Sequence, residues 1–550
     1  MEKKTYISIA FSLLLVIWFV AHTAGIFWGT QNVPMHQTYV ADEQRPVNGA
    51  LHMLKEKSLF GLRGKEEFFY GPIFAVLSVP AIVADFSKQV IFDGVRTSQD
   101  YMNSIIFDWG GIVLGLHITV VLAGVLSLYV AYKMFLLKTL NPAFGPNRRM
   151  LFAGFATMFL GTNYFFFENS TIYMNWIFVA FFLIGQLYLG LLIYETKGKR
   201  PLCWWLHGLV TLLNFGINYL NIIYLVAYIP LAFILWRKNE ENVRRYLYTY
   251  LALLTLGILA IIVWNPFTFI RLLGLLGIGS MAKEMAVEYQ TTFAPFQSST
   301  TSFGYYTTVL VANYLSLFIV LIITARSVLI KRFKENFMWM WMFGSVAILH
   351  FIVFGALAHH EERYVLITTV TLLLFTGTIT IKYLTLPARN KIALLAVVIL
   401  TAWYGIYHVV HIGKWIDIYA DGPAEKAMIA EVLALQKEGE SIAIVQDHIA
   451  GHVHTKEAYQ VFMEQKNATD VNLYKAIMSA PLPSDIVPLT AEYVMPWDYE
   501  KDPSIIEQYD HVIRYQTVCS LEINQATYIA TNLTSLWYWD LCKPKYIQLK

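Results

Sequence analysis

Apolar runs long enough to cross a hydrocarbon core of roughly 30 Å, about 20 residues each as a helix, recur along the first three quarters of the chain and then stop. They predict spans at 6–28, 109–137, 150–167, 171–194, 202–236, 246–264, 305–330, 337–357, 364–383 and 392–411. The run 202–236 is too long for one crossing and counts twice, which makes about eleven transmembrane helices. Two polar intervals are long, 29–108 and 265–304. In the first, the apolar part of "GKEEFFYGPIFAVLSVPAIVADF" is short and interrupted by Pro72 and Pro80, so it reads as an interfacial or re-entrant segment. Beyond 414 the pattern changes. "PAEKAMIAEVLALQKEGE" has early acids and a closing Gly, as a helix does, and "SIAIV" and "DHVIRYQTV" read as strands. The expected architecture is an α-helical polytopic membrane domain over 1–414 followed by a small α/β domain over 415–550.

Composition changes the picture little: 57% of the 550 residues are hydrophobic and 14% charged, with a mean hydropathy of +0.49, outside the usual range of soluble domains. The placement of charge adds more. With a cytoplasmic amino terminus, the inner loops carry Lys138, Arg148, Arg149, Lys197, Lys199, Arg200, Arg237, Lys238, Arg244, Arg245, Arg326, Lys331, Arg332, Lys334, Lys382, Arg389 and Lys391, as the positive-inside rule requires. An odd number of spans then sends the tail outside, as expected of a multi-pass plasma-membrane protein with an extracytoplasmic C-terminal domain. That tail has 19 Asp and Glu against 10 Lys and Arg. The basic residues are topology signals and form no nucleic-acid footprint. "MEKK" ahead of the first run also fits a cleaved signal peptide, but the length of the run and the spans after it favour a retained anchor. Cys203 lies in a span, whereas Cys519 and Cys542 lie in the tail, where a disulfide or two thiols are both compatible with the compartment.

Ionisable side chains at the edge of a membrane are costly and are usually placed for a polar substrate. Here they gather in the outer intervals: Asp42 and Glu43 after the first span, Lys65 with Glu66 and Glu67, Glu168 in the short "FENST", and His359 to Arg363 in "AHHEERY". Solvated loop charges are the plain alternative for the first pair. His359, His360, Glu361 and Glu362 leave a divalent metal open, although neighbours on one loop seldom give tetrahedral geometry. The histidines within spans, His117, His207, His350, His408 and His411, lack ligand spacing and read as hydrogen-bonded helix contacts.

The order of these features resembles the GT-C superfamily of membrane glycosyltransferases, in particular the protein O-mannosyltransferases and the lipid A aminoarabinose transferases. The resemblance rests on the acidic pair of the first outer loop, "FFYGPI" before an interfacial helix, an acid between the third and fourth spans, and "HHEERYVLITTVTLLL" before a late helix. It implies transfer of a monosaccharide, mannose first among the candidates, from a polyprenyl-phosphate donor to a hydroxyl acceptor on the extracytoplasmic face. By the same resemblance Asp42 is the general base and Glu43 orients substrate. Arg363 pairs with the donor phosphate, for which a guanidinium is well suited. Arg45, Lys65, Tyr70, Glu168, His360, Glu362 and Tyr364 complete the implied substrate-binding set. The chain departs from the family at Glu168, where aspartate is more usual, and at Gly71, which stands for the first residue of a Pro-Pro pair. An enzyme extending a lipid-linked glycan shares the late motif. A transporter or flippase of a polar lipid is the rival class, disfavoured because the spans are nearly free of acids.

Overall fold

The computed structural model describes residues 2–26, 44–55, 57, 71–97, 100–101, 104–105, 110–140, 145–171, 173–237, 240–266, 269–270, 302–329, 333–356, 362–384, 391–420, 431–432, 434–436, 439–446, 492–494, 502–516 and 545–548. The helices are α1 (Glu2–Ala21), α2 (Thr23–Ile26), α3 (Gln44–Lys55), α4 (Pro72–Phe92), α5 (Gly110–Phe135), α6 (Pro146–Gly161), α7 (Tyr164–Asn169), α8 (Asn175–Glu195) and α9 (Pro201–Ile217). A 3-10 helix, Tyr219–Tyr228, runs into α10 (Ile229–Arg237), and α11 (Glu241–Trp264), α12 (Ser302–Leu329) and α13 (Phe333–Ala356) follow. A second 3-10 helix, Glu362–Val365, opens α14 (Leu366–Leu384), and α15 is Lys391–Ala420.

The protein is an integral membrane protein, mostly helical. Among the described residues eight helices are long and apolar enough to cross a membrane, or nine if the bent pair within α12 is one span. The helical stretches Tyr6–Ala21 and Pro201–Ile217 are shorter apolar helices. The middle of the bundle is α14, packed by α6, α8, α12 and α13 and buried along most of its length. At the periphery Leu256 on α11 and Ile392 and Trp403 on α15 are exposed, as lipid-facing apolar side chains are.

Two sequence expectations need correction. The run 150–167 is not one helix, because the chain breaks between α6 and α7 at Thr162 and Asn163. Nor is the apolar part of the first long interval interrupted, since α4 runs unbroken for 21 residues and is long enough to cross. Pro72 sits in its first turn, where a missing N–H costs nothing, and Pro80 is carried within the helix. The partners of α4 nevertheless lie at one end of the bundle. It runs antiparallel to the start of α5, with Ala81 beside Gly115 and Asp85 beside Gly111, and meets Tyr173 and Phe178 at the start of α8 and Gly216 and Ile217 at the close of α9. A Cβ on Gly111 would lie 1.9 Å from Asp85 Oδ1, so the carboxylate fits only over glycine. At the opposite end Glu195 closes α8 onto α5 by accepting from Thr139 N and Oγ1, each at 3.1 Å.

After the bundle a four-stranded sheet has the order β2-β1-β3-β4, with β1 Ile442–Gln446, β2 Glu492–Val494, β3 His511–Gln516 and β4 Lys545–Gln548. β1 pairs in parallel with β2 and β3, in register Ala443 with Glu492 and with Val512, and β4 pairs antiparallel with β3. The two expected strands are β1 and β3. The expected helix before them is helical at 431–432 and 434–436, and the rest of it, with Cys519 and Cys542, lies outside the described residues.

Candidate active site

A helix broken among buried apolar side chains leaves backbone groups that those surroundings cannot satisfy, so such breaks persist only where the protein supplies the partners. At the α6–α7 break these come from distant helices. Asn163 N–H turns to Leu160 O at 3.2 Å, which strands Phe159 O, and the Tyr404 hydroxyl of α15 donates to that oxygen at 3.0 Å. Trp18 Nε1 of α1 donates to Gly161 O at 3.0 Å. On the far side, Tyr164 N–H donates to His408 Nδ1 at 3.2 Å, and Phe166 N–H donates to Asn163 Oδ1, an N-cap, at 2.9 Å. Asn163 Nδ2 donates to the hydroxyls of Tyr314 on α12 and Tyr404, at 3.1 and 3.0 Å. His22, buried after α1, sets its ring nitrogens 2.8 and 3.2 Å from the carbonyls of Trp18 and Phe167 and lies against the Phe167 ring. The resulting α7 buries Phe165, Phe166, Phe167 and Asn169 and leaves Glu168 half-buried.

Five residues beyond Glu168 the chain reaches a junction of aromatics. The Tyr173 hydroxyl shares a 2.9 Å hydrogen bond with Ser78 of α4, and its ring stacks on Phe74 at 5.2 Å. Trp176, in the first turn of α8, meets Tyr364 edge-on at 5.2 Å and Phe354 at 5.3 Å. His350 Nε2–H donates to Tyr364 O at 2.7 Å, which leaves Nδ1 to accept from the Tyr224 hydroxyl at 2.9 Å. The 3-10 turn carrying Glu362 and Arg363 is thereby tied to α8. At the other flank Gly71, ahead of α4, donates its N–H to Ile217 O at 2.8 Å, and a Cβ there would lie 2.1 Å from Gly216 O. Proline at position 71 would lack the N–H and carry the clashing carbon. Helix α3, which begins directly after Asp42 and Glu43 in the sequence, packs on α4 through Met53 and Ala75.

Of the expected site residues, the structure places Glu168 and Tyr364 with their side chains, and Tyr364 meets Trp176, eight residues beyond Glu168 in the chain. Arg45 falls in α3, and Glu362 and Arg363 in the 3-10 turn. Asp42, Glu43, Lys65, Tyr70 and His360 lie outside the described residues. So do His359 and Glu361 of the possible metal set, and among the described residues no group of three metal-ligating side chains occurs. The five intramembrane histidines all make hydrogen bonds, His117 to Ile26 O, His207 to the Tyr250 hydroxyl and His411 to Tyr407 O besides the two above.

Sequence reasoning missed Asn163, although a Thr-Asn pair before "YFFFEN" is an N-cap signal. It also passed over Asp85, buried under α5, which accepts from Gln89 Nε2 and the Tyr101 hydroxyl, each at 3.0 Å. Burial, and next the Asp85 carboxylate, push the Tyr101 phenol up, so it stays a donor. No local pattern marks the polar atoms near the Trp176 junction. Thr171 Oγ1, both amide atoms of Asn175, and Thr368 and Thr369 Oγ1 are buried with no hydrogen-bond partner among the described residues. Asn175 adjoins Trp176, and Thr368 stands one turn beyond Tyr364. Each such group costs about 1–3 kcal/mol, a price tolerated where polar atoms serve a ligand.

No protein-family model matches the chain, and no curated protein matches it. Among solved structures it is similar to ArnT from Cupriavidus metallidurans in the apo state, at 14% identity and a TM-score of 0.40 over 94% of this chain and 93% of that one. It is similar also to the same protein bound to undecaprenyl phosphate, at 13% identity and 0.44, over 93% of each chain. A third likeness is to the archaeal oligosaccharyltransferase AglB from Archaeoglobus fulgidus in complex with an inhibitory peptide and a dolichol-phosphate, at 11% identity and 0.44, over 92% of this chain and 69% of that one. Likenesses of this size carry nothing about the chemistry of this chain.

Proposed function

We propose that the protein is an inverting glycosyltransferase of GT-C type, moving a monosaccharide from a polyprenyl-phosphate donor to a hydroxyl acceptor at the extracytoplasmic membrane face. One observation carries the reading. Three segments far apart in sequence, the one opening at Gly71, the one holding Glu168 and the one ending at Tyr364, meet around Tyr173 and Trp176 at a single end of the bundle. Those are the segments whose order resembles the family. The basic loops put this end outside, and the confinement of α4 to it supports α4 adding no crossing.

The chemistry follows from the donor. Its phosphate lies at the headgroup level and its isoprenoid in hydrocarbon, so the site must offer charge at an embedded helix end. Asp42 takes the acceptor hydroxyl's proton as its oxygen attacks the anomeric carbon. The bond from that carbon to the phosphate oxygen breaks, and its electron pair leaves on the lipid phosphate. With a second pKa of about 6 the departing phosphate needs no proton. It needs a cation, the role of Arg363. Glu43, Arg45, Lys65, Tyr70, Glu168, His360, Glu362 and Tyr364 hold and orient the two substrates. Among sugars mannose is the first choice, and a protein hydroxyl and a lipid-linked glycan are the two acceptor classes.

The test uses the purified full-length protein in lipid nanodiscs, supplied with a panel of polyprenyl-phosphate hexoses and hydroxyl acceptors. Stoichiometric release of polyprenyl phosphate with sugar transferred is the expected result. Movement of intact donor across sealed liposomes, with no sugar consumed, would overturn the reading in favour of a transporter.

A further inference from the structure

We infer that Asn163 is a positioning residue that sets Glu168 through α7; the inference rests on the reading of Glu168 as part of the transfer site. A six-residue helix has too few internal hydrogen bonds to hold itself, and α7 with its cap is moored by polar contacts from His22, α12 and α15. Asn163 sits at the middle of them, fully buried. Its side chain is tied to both sides of the break, directly to α7 and through Tyr404 to α6. Its Oδ1 caps α7 at Phe166 N, while its Nδ2 donates to Tyr404, whose own hydroxyl proton goes to Phe159 O at the end of α6. The second Nδ2 proton goes to Tyr314 on α12.

This geometry asks for one acceptor and two donors on a short stem, which asparagine alone supplies. Serine keeps the cap but offers a single hydroxyl donor, on a shorter stem, in place of the two amide donors. Aspartate keeps the shape and the acceptor but makes Tyr404 choose between the new carboxylate and Phe159 O. In either case the hinge at Thr162 and Asn163 gains freedom and α7 can turn about it. Glu168 stands five residues beyond, so a small rotation at Asn163 shifts the carboxylate by an ångström or more relative to Tyr173 and Trp176. A displacement of about 1 Å at a reacting site can cost on the order of a hundredfold in rate.

The experiment is a double-mutant cycle on the purified full-length protein in nanodiscs, with Asn163→Ser and Asn163→Asp each made in wild-type and Glu168→Gln backgrounds. Transfer rates are measured at saturating donor, beside amide hydrogen exchange of α7. In the wild-type background both Asn163 variants should lower kcat by about ten- to a hundredfold, leave the KM for donor within about twofold, and speed exchange of the α7 amides. In the Glu168→Gln background the same substitutions should change kcat less than about threefold, because what they position is already gone. A Glu168→Gln protein with full activity would sink the role given to Glu168, and the positioning role with it. A disabled Glu168→Gln protein beside fully active Asn163 variants would overturn this inference alone. Equal losses in the two backgrounds would do the same, since Asn163 would then act on its own account.

Discussion

Adding a single carbon at Gly71 tests the seating of α4. In Gly71→Ala the new Cβ would stand 2.1 Å from Gly216 O, 2.6 Å from Gly216 C and 3.2 Å from Ile217 C. All three are backbone atoms, so no side chain can swing aside. Contacts of this kind are essentially absent below 3.0 Å, and the start of α4 must move off the end of α9 by roughly 1 Å, an overpacking cost of about 1–3 kcal/mol. The movement also stretches the 2.8 Å bond from Gly71 N to Ile217 O, worth about 1 kcal/mol in addition. Because Phe74 and Ser78 lie within the next two turns, their contacts with Tyr173 loosen and the junction at Trp176 opens. Gly71→Pro should be worse, since it adds the same carbon and removes the donor. The assay is thermal unfolding in nanodiscs, followed by tryptophan fluorescence, with transfer measured on the same samples. A midpoint lowered by a few degrees for alanine and further for proline is expected, with turnover falling in the same order. An unchanged midpoint and unchanged turnover in Gly71→Ala would refute the close approach of α4 and α9.

Three further outcomes follow from the proposed chemistry and topology. Asp42→Asn keeps the shape of the side chain and should bind donor normally while losing transfer by roughly two to four powers of ten, with Glu43→Gln costing less; near wild-type single-turnover rates would mean that the pair is a solvated loop feature. Arg363→Lys keeps the charge but not the bidentate fork, so the apparent affinity for the lipid donor should drop, and an unaltered affinity would remove Arg363 from the phosphate site. Protease added to sealed inverted vesicles should leave the segment after 414 intact, and digestion of that tail from the cytoplasmic side would reject the topology.

Much of the fold was legible because its cause is local. A helix crossing hydrocarbon must present about 20 apolar residues in a row, and no partner elsewhere in the chain can lift that demand, so the runs named in the sequence recur as α5, α8 and α11 to α15. The same holds for β1 and β3, whose short apolar stretches are bounded by polar turns. The candidate site was legible only as a set of segments. Which of them touch depends on Tyr173, Trp176 and His350, of which the sequence marked only His350, as a hydrogen-bonded helix contact.

What hydropathy could not see was the unbroken α4 and the broken helix at Thr162 and Asn163. Pro80 looks like an interruption locally, yet α4 keeps its course because α3, α5 and α9 pack along it. The run from 150 to 167 looks continuous because its side chains stay apolar through the break. The chain can part there only because Trp18, Tyr314, Tyr404 and His408, from 143 residues before to 245 after the groups they serve, bring donors and acceptors to the stranded backbone and to the Asn163 amide. The sequence by itself therefore determined which stretches enter the membrane, since burial of apolar surface is decided residue by residue along the chain. Only the tertiary structure decided where the backbone could leave the helix ahead of Glu168, because a hydrogen bond in hydrocarbon must be completed by whatever group the fold places opposite.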